Sequence, residues 1–335
     1  MYGKIKRDKE YINGLKKSLE KDYGFSIQEM YETKRGWYGE TWRVKTDKDD
    51  LFVKIDNCKH HKRRYKESLF VIEYLHANGI HYISKVIKTK KESLNTTFQN
   101  GIVGVFEFVE GENTEDYPIS KLYEKMALIY KVPAQGLHIE KENFKPGKIL
   151  NAIDRYIVLL ASSDNLQDRK LLKVLEGHRG KIEFYHERLQ GFAKLCRKDT
   201  SDFVITHSDA GGNVIINGDE FTIIDWDHPM LAPIERDVWP FSNQMESIQK
   251  ALKKHNVSYN PNPCRLAYYT YFMFFFYLME MLQAFFDIEE KSLKRDTIKA
   301  VKDLPSGWIK HSLERANQIS LNNCIFRATS IRSSK

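Results

Sequence analysis

The sequence predicts an α+β fold in two lobes, a small β-rich lobe formed by residues 1–108 and a larger, mainly helical lobe formed by residues 109–335. Three observations point there. Short apolar runs punctuated by glycine fill most of the first hundred residues. Near Gly111 the pattern changes, and long amphipathic stretches dominate from residue 113 onward. Within that helical half stands an isolated hairpin signal, Asn217-Gly218, between apolar runs. A chain of 335 residues is long enough for such a bilobed unit with a large core.

In order along the chain, "GWYGETWRVKT" alternates and turns, and "DLFVKI" is a short apolar strand. "YKESLFVIEYLHANGI" has helical periodicity and stops at Gly79. "GIVGVFEFVEGEN" is an apolar strand that ends at Gly111. Residues 121–137 and 170–196 carry amphipathic helical patterns. "LAYYTYFMFFFYLM" holds no charge for 14 residues, which is too short to span a bilayer, and it is followed by Glu280, Gln283 and Asp287. It reads as a buried helix. No repeat of 20–50 residues and no low-complexity linker is visible.

Composition narrows the class. Hydrophobic residues make up 41% and charged residues 29%, the balance of a globular protein. The net charge is +8, but Lys and Arg are spread along the whole chain and no basic motif with interleaved aromatics appears, so no nucleic-acid partner is expected. The N-terminus is charged and lacks an apolar signal segment, and no membrane partner is expected. Cys58, Cys196, Cys264 and Cys324 lie far apart without CxxC spacing, which argues against a zinc ribbon and a disulfide framework and fits a cytoplasmic protein.

The richest stretch is "VITHSDAGGNVIINGDEFTIIDWDHP", residues 204–229, which sets His207, Asp209, Asn213, Asp225 and Asp227 around short apolar runs. If Gly218, Asp219 and Glu220 form the turn, Asn217 faces Phe221 and Asn213 faces Asp225; a two-residue turn shifts this by one. Opposed residues share a face, with Cβ atoms about 5 Å apart. An amide oxygen and a carboxylate so placed are hard ligands suited to Mg²⁺, which keeps its other positions for water and phosphate. Asp209, entering the same mouth, can accept a proton from a hydroxyl. These parts are the minimum for phosphoryl transfer.

The order His-x-Asp, Asn, then Asp-x-Asp after a hairpin resembles the aminoglycoside phosphotransferase and choline kinase family, relatives of the protein kinases. "DWDHPMLAPIERDVW" sharpens the likeness toward spectinomycin phosphotransferase-type antibiotic kinases. The resemblance is strong over residues 203–241 and diffuse elsewhere. It implies a protein-kinase-like fold that uses ATP or GTP and Mg²⁺ to phosphorylate an alcohol. By position it implies Asp209 as base, Asn213 and Asp225 as metal ligands, His207 as a structural residue and Asp237 as a brace of the loop. The family spaces its Asp and Asn five apart and this chain four, a change that Gly211 and Gly212 could absorb through positive φ. Upstream, Lys54 in "LFVKI" implies a phosphate-binding lysine, with Glu67 as its expected helical partner and Glu73 as competitor. Gly36 and Gly39 would let backbone approach the phosphates, and Glu107 to Val109 would meet the base. Leu137-His138 resembles a dipeptide that ends a helix in this family. A cationic aminoglycoside or aminocyclitol would find carboxylates at Asp227 and Glu280. Arg265 could instead pair with Glu280.

Other chemistries fit less. No G-x-S-x-G elbow and no G-x-G-x-x-G is present. A metallohydrolase using His207, Asp209, Asp225, Asp227 and His228 gives Lys54 no role. A non-catalytic nucleotide-binding module and a kinase of choline, homoserine or a sugar are the remaining alternatives.

Overall fold

The computed structural model describes residues 7–33, 39–58, 61–198, 200, 202–287 and 291–321. Its first element is a helix, α1 (Lys9–Tyr23), where mostly strands were expected. Local rules explain it. The Asp8 side chain accepts from the Tyr11 amide at 2.8 Å, Gly24 closes the last turn at φ 86°, and Leu15, Leu19 and Tyr23 share the buried face.

A five-stranded antiparallel sheet follows, in the order β1-β2-β3-β5-β4. Its strands are β1 (Ile27–Glu32), β2 (Gly39–Thr46), β3 (Asp50–Asp56), β4 (Thr96–Phe98) and β5 (Gly101–Glu107), with α2 (Lys62–Ala77) between β3 and β4. Side chains alternate across β3. Leu51, Val53 and Ile55 pack with Leu15 and Leu19 of α1, while Phe52 turns to the second cluster, that of Tyr65, Leu69 and Phe106. Lys54 lies on that second face, in the middle strand, paired with Thr41 on one side and Gly104 on the other. Gly104 makes room for α2, because a Cβ there would stand 2.4 Å from the Tyr65 hydroxyl oxygen.

Past the short β6 (Glu112–Asn113) the chain is mainly helical: α3 (Ile119–Tyr130), α4 (Gly147–Ala161), α5 (Leu166–Gly177) and α6 (Arg179–Cys196). Two sequence expectations are corrected here. The pattern over residues 170–196 is two helices broken at His178, and Leu137-His138 lies in a loop beyond α3 rather than at a helix end.

The polar stretch folds as β7 (Val204–Thr206), β8 (Val214–Asn217), β9 (Glu220–Ile223) and β10 (Met230–Ala232). β6, β8 and β9 form one small sheet and β7 with β10 another. Then come α7 (Glu235–Val238), α8 (Met245–Lys254), α9 (Pro263–Asp287), α10 (Lys291–Asp303) and α11 (Lys310–Gln318).

The uncharged aromatic run is the middle of α9, buried among α4, α6, α10 and α11. Among the described residues no helix is long and apolar enough to cross a membrane. Cys58 and Cys196 are free thiols.

Candidate active site

The hairpin closes in two residues: Asn217 pairs with Glu220, and only Gly218 of the turn has positive φ, at 58°. That matches a II′ turn, whose twist suits the flanking strands. The register is therefore one residue off the three-residue assumption, and Asn213 faces Ile224, whose amide donates to the Asn213 carbonyl at 2.9 Å. Asp225 reaches the mouth by another route. It stands just past the ladder at φ 62°, a left-handed conformation unusual for a non-glycine residue, which redirects the chain.

The loop before β8 is held from below by Asp237. Its buried carboxylate accepts from the Ser208 amide at 2.6 Å, the His207 amide at 3.3 Å and the Tyr130 hydroxyl at 3.0 Å. Burial raises its pKa, opposed by Arg236 and these donors. His207 is also buried, and burial lowers its pKa. As a neutral ring with hydrogen on Nε2, it donates to the Ile224 carbonyl at 2.9 Å and accepts from the Asp209 amide on Nδ1 at 3.3 Å. With both nitrogens engaged, His207 has no lone pair for a metal.

The short loop does not use glycine as expected. Neither Gly211 nor Gly212 has positive φ; Ser208 takes that conformation, at 84°. Asn213 closes the turn through its amide to the Ala210 carbonyl at 3.1 Å. Gly211 serves close packing instead, because a Cβ there would lie 2.3 Å from the Phe241 ring.

Asp237→Ala orphans two backbone amides at once. Each buried donor left unpaired costs about 1–3 kcal/mol, so the expected result is a loss of about 3 kcal/mol in denaturant-measured stability, with Asp237→Asn losing less. An Asp237→Ala midpoint equal to wild type refutes the bracing role.

The Lys54 ammonium crosses from the sheet to meet Asp225 Oδ1 at 2.6 Å and both oxygens of Asp227 at 2.6 Å. Burial opposes its charge, but the two carboxylates outweigh that and its pKa is raised. Burial likewise opposes ionisation of Asp225, and Lys54 prevails to hold it below the ordinary carboxylate range. Asp227, desolvated and facing Asp225, is pushed up to about 6.

Asp209 stands beside them. Its surface is open to the cleft, yet the surrounding protein strips much of its hydration, and with Asp225 nearby its pKa is pushed up to about 6. The Asn213 side-chain amide donates to the Asp209 carbonyl at 2.6 Å.

A cavity of about 540 Å³ gathers most of the expected residues: Lys54, Glu67, Asp209, Asn213, Asp225, Asp227 and Glu280. Glu67 lines it, but pairs with Arg63 at 3.2 Å and not with Lys54, and Glu73 pairs with Lys88 at 2.6 Å. Arg265 binds Asp202 at 2.8 Å rather than appearing beside Glu280.

Gly39, Glu107 and Val109 do not line this cavity. Gly39 opens β2 where a Cβ would stand 1.9 Å from the Ile55 carbonyl oxygen, so packing alone demands glycine there. The Glu107 and Phe108 amides are tied to the carbonyls of Lys85 at 3.0 Å and Asp50 at 3.2 Å. Gly36 lies outside the described residues.

Sequence reasoning missed the largely apolar part of the lining, Phe272, Met273, Phe276, Tyr277 and Met279 of α9. A signal existed: Glu280 lines up with Phe276 and Phe272 at steps of four, one row of a helix.

Among the described residues no group of three or more His, Cys, Asp or Glu is arranged to hold a metal. A Mg²⁺ site needs less, one or two carboxylates and an amide, with phosphate and water completing the shell. Asp225, Asp227 and Asn213, which line one cavity, could supply such donors, and two carboxylates converge on the Lys54 ammonium there.

Comparison with known proteins bears on the family and the fold. Residues 32–253 match the model of the phosphotransferase enzyme family, APH. No curated protein matches the chain. Among solved structures, spectinomycin phosphotransferase APH(9)-Ia in complex with ADP and spectinomycin has a TM-score of 0.72 at 20% identity, over 92% of this chain and 98% of that chain. Macrolide 2'-phosphotransferase type I gives 0.58 at 13% identity, over 88% and 97%. A thermostable mutant of aminoglycoside phosphotransferase APH(4)-Ia with AMP-PNP and hygromycin B gives 0.51 at 15% identity, over 88% and 99%.

Proposed function

Because the chain belongs to the phosphotransferase enzyme family and is a small-molecule kinase with an alcohol as acceptor, we propose that it transfers the γ-phosphate of ATP, or of GTP, to a hydroxyl of an aminoglycoside- or aminocyclitol-like compound, with Asp209 as base. The observation that carries this reading is the meeting, in one cavity, of a lysine from the middle of the sheet with Asp209, Asn213, Asp225 and Asp227 from the other lobe. That is the division of labour phosphoryl transfer requires: cations on the phosphates from one side, an oriented nucleophile from the other.

In this reading Asp209 receives the proton of the acceptor hydroxyl, whose oxygen bonds to the γ-phosphorus as the bond to the bridging β–γ oxygen breaks and the nucleoside diphosphate leaves. His207 and Asp237 hold the loop that aims Asp209. Lys54 attracts the phosphates. Asp225, Asn213 and Asp227 would hold Mg²⁺, which when bound neutralises phosphate charge. Asp227 and Glu280 put carboxylates beside the acceptor's place. ATP is the better-supported nucleotide, since neighbouring structures carry ADP and AMP-PNP. Glu107 to Val109, at the end of β5, would meet the base. A reaction that consumes nucleoside triphosphate implies the cytoplasm.

The metallohydrolase reading is disfavoured by His207, whose two nitrogens are both engaged. Coupled formation of nucleoside diphosphate by the purified protein with Mg·ATP or Mg·GTP and a panel of amine-bearing alcohols tests the proposal. Nucleoside diphosphate released at the same rate without any acceptor contradicts it.

Lys54→Met removes the cation that two carboxylates share. Turnover is expected to fall at least tenfold. The apo protein loses about 1–3 kcal/mol, since Asp225 and Asp227 are left facing each other, an effect moderated by the exposure of Asp225. Added Mg²⁺ restores much of that stability. A variant with wild-type activity makes Lys54 a structural lysine only.

A further inference from the structure

The loop that carries Asp209 is gripped from a second direction, by the segment through which the chain enters the helical lobe. Ala210 to Asn213 is a tight turn, closed by the Asn213 amide on the Ala210 carbonyl at 3.1 Å. Such a turn uses its first carbonyl and its last amide. The carbonyls of Gly211 and Gly212, in its middle, need partners from outside.

Those partners are Asn113 and Tyr117. The Tyr117 hydroxyl donates to the Gly211 carbonyl. The Asn113 side-chain amide donates to the Val214 carbonyl at 2.9 Å and to the Gly212 carbonyl at 3.3 Å. The Thr114 amide adds a further bond to the Val214 carbonyl, at 3.3 Å. Asn213 lies between the two carbonyls that Asn113 holds.

Both donors are themselves fixed. Asn113 belongs to β6 and pairs with Ile215 of β8, so its side chain starts from a held backbone. The Tyr117 ring meets the buried Phe221 of β9 edge-on at 5.2 Å, and Pro118, at φ −63°, leads from it into α3. The loop therefore has a holder at each end. Asp237 and His207 take the amides of residues 207, 208 and 209. Asn113 and Tyr117 take the carbonyls beyond Ala210. Neither Asn113 nor Tyr117 lines the cavity, so each acts on the reaction through the loop.

We propose that Asn113 and Tyr117 are positioning residues: by binding the carbonyls of Gly211, Gly212 and Val214 they fix Asp209 and Asn213 relative to each other and to the bound reactants. This rests on the phosphoryl-transfer reading and adds to it two residues from outside the catalytic stretch. A loop released by about 1 Å leaves the nucleotide bound but misplaces the base, and an error of that size costs up to about a hundredfold in rate. The loss falls on kcat rather than on KM.

The test uses two variants. Tyr117→Phe removes one oxygen and keeps the ring on Phe221, and Asn113→Ala shortens an exposed side chain. Their kcat and KM are measured with Mg·ATP and the amine-bearing alcohol that the wild type turns over fastest. Hydrogen exchange is followed on the peptide spanning residues 208–214. Each variant is expected to lose about tenfold or more in kcat, to keep its KM for ATP within twofold, and to exchange the loop amides faster than wild type. A kcat within twofold of wild type in either variant overturns the proposal, whatever the melting temperature does. A lower kcat with unchanged loop exchange also overturns it, because the effect then bypasses the loop. Should the wild type turn over no alcohol, the kinase reading fails by itself; faster exchange over residues 208–214 in the variants then still supports the clamp, and unchanged exchange overturns it.

Discussion

In Asp209→Asn, phosphoryl transfer falls by about two orders of magnitude or more, while nucleotide still binds. The substitution keeps the size of the side chain and removes its capacity to accept a proton. The loop should survive, because it is held by Asp237, His207 and the Asn213 bond to the backbone carbonyl of residue 209, none of which uses the Asp209 carboxylate. Burial and the neighbouring Asp225 push that carboxyl up to about 6, so the wild-type rate should rise as pH climbs through about 6 and level off above it.

The same shift has a consequence for stability. With its pKa raised above that of the unfolded chain, Asp209 favours folding most while protonated at low pH, and this contribution is lost as pH rises through about 6. At pH 8 the Asn variant should therefore melt slightly above wild type, the gain kept small because Asp209 is open to the cleft, and the gap should close toward pH 4. Turnover near wild type, or a melting point depressed at pH 8, removes Asp209 from the role of base.

What was legible in the sequence follows a physical division. The Asn217-Gly218 hairpin and the buried middle of α9 rest on local patterns, and both appear in the structure. Asp209, Asn213, Asp225 and Asp227 are neighbours in sequence, joined by one hairpin, so their convergence could be read. The register missed by one because turn length depends on the conformation of Asp219, which composition does not reveal. Asp225 still reaches the mouth through a backbone conformation with φ 62° that no strand pairing anticipates.

The partner of Lys54 was misjudged for a different reason. Glu67 was chosen by spacing along a helix, while the carboxylates that bind Lys54 are 171 and 173 residues away. Gly211 shows the same limit: its lack of a side chain answers to Phe241, on a turn beyond α7, and not to its own φ. The apolar lining was hidden because residues that line a cleft and residues that fill a core share one composition. Only the packing, which leaves Phe276 and Tyr277 half open, separates them.

The other large effect concerns the metal. Asp225→Asn should abolish Mg²⁺-dependent nucleotide binding and turnover, and Asn213→Ala should weaken the Mg²⁺ response less. Asn is the informative replacement because Asp225 sits at φ 62°, where Asn is tolerated and Ala adds backbone strain of about 1 kcal/mol. The amide keeps the shape and removes the charge. In wild type, Lys54 and the incoming cation compete for the same pair of carboxylates. With Asp225 neutral, Asp227 remains ion-paired with Lys54, and the place between them loses half of its negative charge. Attraction for a divalent cation falls accordingly, since Mg²⁺ gives up water reluctantly and needs the carboxylate charge to bind. Asn213 supplies one neutral oxygen, so its removal costs affinity without changing the charge. Titration of Mg²⁺ into protein with AMP-PNP, followed by heat, should give a well-defined transition for wild type, a shifted one for Asn213→Ala and none for Asp225→Asn. Coincident curves for all three proteins show that these two residues do not hold the metal.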